Sequence, residues 1–437
     1  MTRTTVVIGA SIAGMLAAAA ASRRSDRVLV LEHDDLPDRP QGRPGTPQAP
    51  HTHGLLASGR AAMEEILPGL TEDLVGAGAL AGGDAGRAGR WWIGGGLIAD
   101  CDLGLGGAVV SRPTLEHAVR VRVQKLCPAV EIHSEADVVG LLGDAGRVTG
   151  VAARARGAGA TTRRIEADVV IDASGRAGRA MRWLPAVGAV APREERVQVG
   201  VRYATVHVAS APEDLGGRVV VVCAATREVP RGGVAIRQED ATWILTLFSY
   251  GDTAIPSDTD GLRRFAATLV SPDLTTLLAD RDPLHAPLAY RFPDCRRRRV
   301  EEVDLPLGYA PIGDAVASFD PTFGQGMTVA ALQALALRDA LAGGPEQLRG
   351  AYVRRATGIV DRAWTVVVGA VVQLPGVSGP APAGHAVMSR YVRRLQRVAR
   401  HDPQVARAFL RVTNLIDPPQ SLMRPALAAR VLRPGAA

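Results

Sequence analysis

GDAVASFDPTFGQGM, Gly313 to Met327, places an acid, a proline and glycines directly ahead of an Ala/Leu-rich segment. Much earlier in the chain, GASIAG at Gly9 to Gly14 stands ahead of another such segment. Glycine removes side chains, so backbone can approach a second group closely. A helix opening behind such a turn presents unpaired N–H groups and the positive end of its dipole. These residue types in this order can bind phosphate and other anions.

The elements around the first turn are those such a site needs. Thr4 to Ile8 are mostly β-branched, the composition of a short buried parallel strand. An Ala/Leu helix then runs to about Ser22, and Arg27 to Leu31 reads as a second strand ended by Glu32. Strand, helix, strand and acid together describe a dinucleotide-binding unit, with pyrophosphate at the helix N-terminus and the acid on a ribose hydroxyl. Ser11 replaces the middle glycine of the fingerprint; it is small, and its hydroxyl can itself meet a phosphate. A tight turn in an unrelated α/β fold is the alternative. Glu32 disfavours a 2′-phosphate, which argues against NADP as the tightly held ligand. No second fingerprint follows: LLGDAGRVTGV, Leu141 to Val151, reads as a hairpin turn. One large dinucleotide, FAD or NAD, must then be gripped by pieces spread along the chain.

Such pieces exist. IEADVVIDASGRAGR, Ile165 to Arg179, reads as a strand followed by an acid and a small-residue turn. Ser111-Arg-Pro-Thr-Leu-Glu116 opens a helix with a serine cap and an early proline. The set resembles the flavoprotein monooxygenases with the para-hydroxybenzoate hydroxylase fold. Within that superfamily PQAPHTHGLLASGRAAMEEILPG, Pro47 to Gly69, is similar to bacterial FAD epoxidases of polyether pathways and related natural-product oxygenases. The resemblance covers residues 1–60, 105–180 and 305–342. It implies an α/β fold in which a Rossmann-like FAD domain of the glutathione-reductase-2 type is interleaved with a β-sheet substrate domain. The FAD domain would comprise 1–75, 105–185 and 300–345, the substrate domain 76–104 and 186–299, and a C-terminal helical region 346–437.

Carried over to this chain, the resemblance implies that Gly9, Ser11, Ala13 and Gly14 line the pyrophosphate and that Glu32 holds the adenosine ribose. Arg112 would lie along the phosphates or ribityl chain, with Val138 at the adenine through its backbone. Gly313 and Asp314 would meet the ribityl or pyrophosphate, while Pro321, Gly324, Gln325, Gly326 and Met327 frame the isoalloxazine. Arg43 and Gln48 fall where the family's loop meets the cofactor. Asp172 opens Asp-Ala-Ser-Gly-Arg-Ala-Gly-Arg179, which departs from the family's D-G-x-x-S-x-x-R and puts direct NADPH use in doubt.

The implied activity is an FAD-dependent monooxygenase that uses a C4a-hydroperoxyflavin to epoxidise or hydroxylate a hydrophobic polyketide- or terpenoid-like substrate. Its other reactants would be molecular oxygen and either NADPH, NADH or reduced flavin from a partner reductase. The alternatives are a reductase or dehydrogenase resembling geranylgeranyl reductases, and a non-catalytic flavin-binding partner. Halogenation lacks its WxWxIP-type motif and an obvious lysine. No catalytic side chain is assigned; Tyr203, His207, Trp243 and Tyr250 are the groups on alternating strands that could face a substrate.

Composition bounds the rest. The chain has 437 residues, 47% hydrophobic and 22% charged, as in globular proteins, and a net charge of +7. Lys125 is the only lysine, and Arg296 to Arg299 form a run that reads as a solvated loop. With 4% aromatics there is no stacking platform for nucleic acid. Four scattered cysteines suit a reducing cytoplasm rather than a disulfide scaffold or zinc site. His51 and His53 lack a third ligand nearby, so no metal is expected. The N-terminus has the outline of a signal peptide, but the fingerprint glycines inside its apolar run oppose export. The Arg-studded C-terminal helices read as a cap over the substrate domain, with membrane-surface contact the less favoured option.

Overall fold

The computed structural model describes residues 3–157, 160–382 and 384–433. The strand Thr4–Ile8 is apolar along most of its length because both its faces are covered, and Val6 and Val7 have no exposed surface. It is the middle strand of a five-stranded parallel sheet. In order across the sheet the strands are Tyr309–Pro311, Val169–Asp172, Thr4–Ile8, Arg27–Leu31 and Val130–His133. Three strands far apart in sequence are thus neighbours. Their carboxyl-end turns, at Gly9, Ala173 and Ile312, open side by side on one edge, where ligands of open α/β sheets bind.

The expected hairpin is present. Ala136–Gly143 pairs with Val148–Ala155, and Asp144 Oδ1 accepts from the Gly146 and Arg147 amides at 2.9 and 3.0 Å. Arg163–Glu166 completes a three-stranded meander.

A second, eight-stranded sheet is antiparallel except where Val220–Cys223 meets Gly89–Ile93. Its long central strand, Glu194–Ala209, pairs with Leu288–Arg298 on one side and Thr242–Ser249 on the other. Alternation sorts the two faces. Ala204, Val206, Val208 and Trp243 pack on the helices Thr259–Ala266 and Pro272–Ala279, while Tyr203 and Phe248 face the opposite way, toward the parallel sheet.

The C-terminal region folds as helices. Leu395, Val398, Val405 and Leu410 bury against Ile93, Ile98 and Leu103 beside the edge of the large sheet. Among the described residues no helix is long and apolar enough to cross a membrane. All four cysteines are free and buried.

The arginine run corrects the sequence expectation. Arg296 to Arg298 end the strand Leu288–Arg298, and Arg297 and Arg298 are buried rather than solvated. Each guanidinium has an acid. Arg296 meets Asp294, Arg297 meets Glu301 and Asp361, Arg298 meets Glu194 at 3.0 Å, and Arg299 meets Glu195. Cross-strand pairing with the acidic start of the neighbouring strand makes a charged run compatible with burial.

Candidate functional site

At the first turn Gly9 adopts φ +99°, and a Cβ there would stand 2.7 Å from the Ala173 carbonyl oxygen. Only glycine fits. The helix Ile12–Ser22 opens behind it with no side-chain cap from Ser11, so its first amides remain free. The Ser11 hydroxyl is engaged elsewhere: it donates to Glu116 at 2.8 Å and accepts from Arg112 Nη2 at 2.9 Å. Arg112 therefore reaches the glycine turn from a helix begun a hundred residues later, and the Ser111 cap and Pro113 hold that helix start.

Glu32 folds back over the same turn. Its carboxylate accepts from the Ala10 amide at 2.6 Å and from the Asp34 amide at 2.9 Å. Arg43 is buried among three acids, at 2.7 Å from Asp34, 3.2 Å from Glu32 and 3.5 Å from Glu116. Its charge is spent within the protein.

The late turn lies against the first. Gly313 has φ +64°, and a Cβ on it would come within 2.8 Å of Ala13 Cβ. Its amide donates to Gln333 Oε1 at 2.8 Å. Arg298 donates to the carbonyl oxygens of Asp314 and Ala315 at 3.4 and 2.9 Å, pinning this turn from below. The Asp314 side chain has no protein hydrogen bond among the described residues. Burial raises its pKa above the ordinary carboxylate value, against the pull of Arg112, Arg176 and Arg298. Further on, Asp320 is fully buried and accepts from Tyr250 Oη at 2.8 Å and from the Thr322 amide and hydroxyl at 3.0 and 2.7 Å. The helix Gly326–Ala342 then starts, again with no side-chain cap. Gln325, beside that start, donates to the Thr413 carbonyl at 2.9 Å.

Both bare helix starts open on one cavity of about 1690 Å³, large enough for a dinucleotide and a second ligand. Of the residues singled out from sequence, Gly9, Ser11, Ala13, Glu32, Arg43, Gln48, Arg112 and Val138 line it on one side. Gly313, Asp314, Pro321, Gly324, Gln325, Gly326 and Met327 line it on the other. Two do not. Gly14 faces the Gly9 carbonyl, which any Cβ would strike, so it serves close packing inside the turn. Asp172 is fully buried under the cavity, accepting from Tyr309 Oη at 2.7 Å and from the Ser174 amide at 3.0 Å.

Among the groups considered for a substrate, Tyr203 and Tyr250 line the cavity. Trp243 and His207 do not. Trp243 lies on the helix-covered face of the sheet, its indole donating to Asp214 at 2.7 Å, and His207 bonds the Pro50 carbonyl at 3.3 Å. His51 and His53 also line the cavity, each in its own contact. His51 Nδ1 is 2.8 Å from Thr205 Oγ1, and His53 Nδ1 donates to the His51 carbonyl at 2.8 Å. Burial, then His207, lowers the His51 pKa to about 4; burial, then Arg112, lowers that of His53 to about 3.

Sequence reasoning missed Arg298, Asp320, Tyr290, and the Thr413–Asn414 segment that closes the cavity beside Gln325. The acid before Pro321 was a readable signal for Asp320. Nothing local marked the others.

No family model matches the chain. Among the solved structures that share its fold are the following two. The flavin-dependent brominase Bmp2, as a triple mutant, has a TM-score of 0.67 at 16% identity, covering 96% of each chain. PqsL of Pseudomonas aeruginosa, described as a probable FAD-dependent monooxygenase, has a TM-score of 0.65 at 18% identity, covering 85% of this chain and 97% of its own. In sequence, protein Rv3254 of Mycobacterium tuberculosis is 35% identical over 429 residues, 94% of this chain and 89% of that protein. Identity at that level over almost the whole length places this chain in the same family as Rv3254.

Proposed function

We propose that the protein is an FAD-dependent monooxygenase that epoxidises or hydroxylates a hydrophobic natural-product-like substrate. One observation carries the reading: two uncapped helix starts, at Ile12 and Gly326, open on the same long cavity, with Gly313 packed on Ala13 between them. The residues fit an extended FAD. The amides behind Gly9 would take the pyrophosphate, helped by Ser11 and Arg112, and Glu32 would take the ribose and Val138 the adenine. Asp314, whose carboxylate has no hydrogen-bond partner among the described residues, would accept from hydroxyls of the ribityl chain. Pro321 to Met327 would frame the ring, the bare start of the late helix favouring negative charge by about 0.3–1 kcal/mol or more where partly buried.

Bound FAD would supply the oxygen activation. The chain's own share is to orient both partners and exclude water. The C-terminal helices, through Val366, Leu410 and Leu422, close the far wall of the cavity with apolar surface. NADPH, NADH or reduced flavin from a partner reductase would deliver the electrons; the Glu32 position disfavours NADP as the resident ligand.

Purified protein is expected to carry a flavin spectrum. Reduced protein mixed rapidly with oxygen is expected to show a transient absorbance, and oxygen uptake should rise with an unsaturated lipophilic substrate. Flavin-free protein, or product that is saturated or desaturated without oxygen incorporation, would overturn the assignment.

A further inference from the structure

The floor of the cavity on the large sheet is a row of cross-strand partners. Tyr290 stands opposite Tyr203, and Tyr203 opposite Phe248, so all three side chains leave the same face. All three line the cavity. The two tyrosine rings lie 5.4 Å apart at 31°, and His51 meets them edge-on at 4.9 and 5.6 Å. His51 thus props the pair from the loop between the strand Arg27–Leu31 and the helix Ala57–Ile66.

The phenol hydroxyls have nothing to hold. Tyr250, also on this wall, gives its proton to Asp320, but among the described residues neither Tyr203 Oη nor Tyr290 Oη has a hydrogen-bond partner. Burial, with Tyr290 and Asp320 nearby, pushes the Tyr203 phenol further from ionising. Two adjacent donors therefore face a space walled by Val220, Val222, Val234, Phe248, Phe292 and Leu410. Arg176, which also lines the cavity, lies over Phe292 at 4.4 Å and is paired with Asp294. The cavity-lining arginines without an acidic partner, Arg179, Arg227, Arg393 and Arg397, are exposed, so a carboxylate buried against the tyrosines would meet no buried, unpaired guanidinium among the described residues. A carbonyl oxygen has two lone pairs and can take both phenols at once.

We propose that Tyr203 and Tyr290 anchor the substrate by a neutral carbonyl oxygen, holding a flat and otherwise apolar molecule against Phe248. This rests on the reading of the cavity as an oxygenase site and adds the substrate's polar handle. A hydrogen-bonding pocket rejects a ligand lacking its partner far better than an apolar pocket rejects a change of size.

The test compares binding of 9-fluorenone, fluorene and 9-fluorenecarboxylate to the whole protein by calorimetry, independently of turnover. Fluorenone is expected to bind about tenfold more tightly than either of the others. The Tyr203→Phe/Tyr290→Phe double variant should erase that preference while leaving fluorene affinity and the visible flavin spectrum unchanged. Tyr290→Phe alone, at the less buried position, should lose part of it and guards against a folding defect in the double variant. Equal affinity for fluorenone and fluorene, a preference that survives the double variant, or tighter binding of the carboxylate would overturn the proposal. A protein that shows the fluorenone preference but no substrate-dependent oxygen uptake would instead overturn the monooxygenase reading alone.

Discussion

The two ends of the cavity are built by opposite means. At the glycine-turn end the wall is backbone: a turn that tolerates no side chain at Gly9, a helix start left uncapped, and guanidinium groups already matched by Glu32, Asp34 and Glu116. At the large-sheet end the wall is side chain: Tyr290, Tyr203 and Phe248 in one cross-strand row, with apolar neighbours and spare hydroxyls. The first end can recognise phosphate whatever its surroundings, because the amides are fixed by local conformation. The second reads whatever the sheet register happens to bring together. A ligand common to many enzymes suits the first, and a ligand peculiar to one suits the second.

Variants at the glycine-turn end should therefore abolish cofactor binding, and variants at the sheet end should spare it. The largest effect is expected from Gly14→Val, whose side chain must displace the Gly9 carbonyl. It should purify without flavin absorbance and with a clearly lowered melting temperature; normal flavin content would break the contrast. Next comes Arg298→Met, which leaves Glu194 only its pair with Arg196 and takes the donor from the Asp314 and Ala315 carbonyls. Leaving a buried carbonyl without its donor costs about 1–3 kcal/mol for each, measurable by urea unfolding. Tyr250→Phe takes one donor from buried Asp320. The expected loss is about 1–3 kcal/mol with flavin retained.

A pH scan sharpens the boundary between the ends, where His51 and His53 lie. Their pKa values sit at about 4 and about 3 in the folded chain, against 6.5 ordinarily, so only the unfolded state takes up their protons below about pH 6.5. Stability should fall as pH drops from about 6.5 toward 4, and the His51→Asn/His53→Gln double variant should flatten that slope in thermal melts. The smallest effect is expected at Asp314. Its folded pKa is raised, so the flavin-free chain loses stability as pH rises out of the ordinary carboxylate range. Asp314→Asn should make the flavin-free protein modestly more stable at neutral pH; a less stable variant would mean the charge is held by the protein itself.

The legibility of the molecule follows the same division. The strand, turn, helix and acid from Thr4 to Glu32 could be read directly, since φ at Gly9 and the apolar run of Thr4–Ile8 are local properties. The hairpin at Gly143–Val148 was equally plain. The arginine run was misread as solvated because the partners of Arg298 and Arg299, Glu194 and Glu195, lie a hundred residues away on the adjacent strand. Asp172 looked like a ligand contact, but Tyr309 from the neighbouring strand reaches it first.

The sequence by itself determined where backbone would be bare: glycine spacing, β-branched runs and capping residues act within a few positions of themselves. Only the tertiary structure decided that the turns at Gly9, Ala173 and Gly313 share one edge, that Thr413 closes the cavity beside Gln325, and that Tyr203 stands beside Tyr290. Those facts depend on strand order and register between segments far apart in the chain. Strand pairing is fixed by the joint burial of many side chains, and no short stretch of residues carries that information alone.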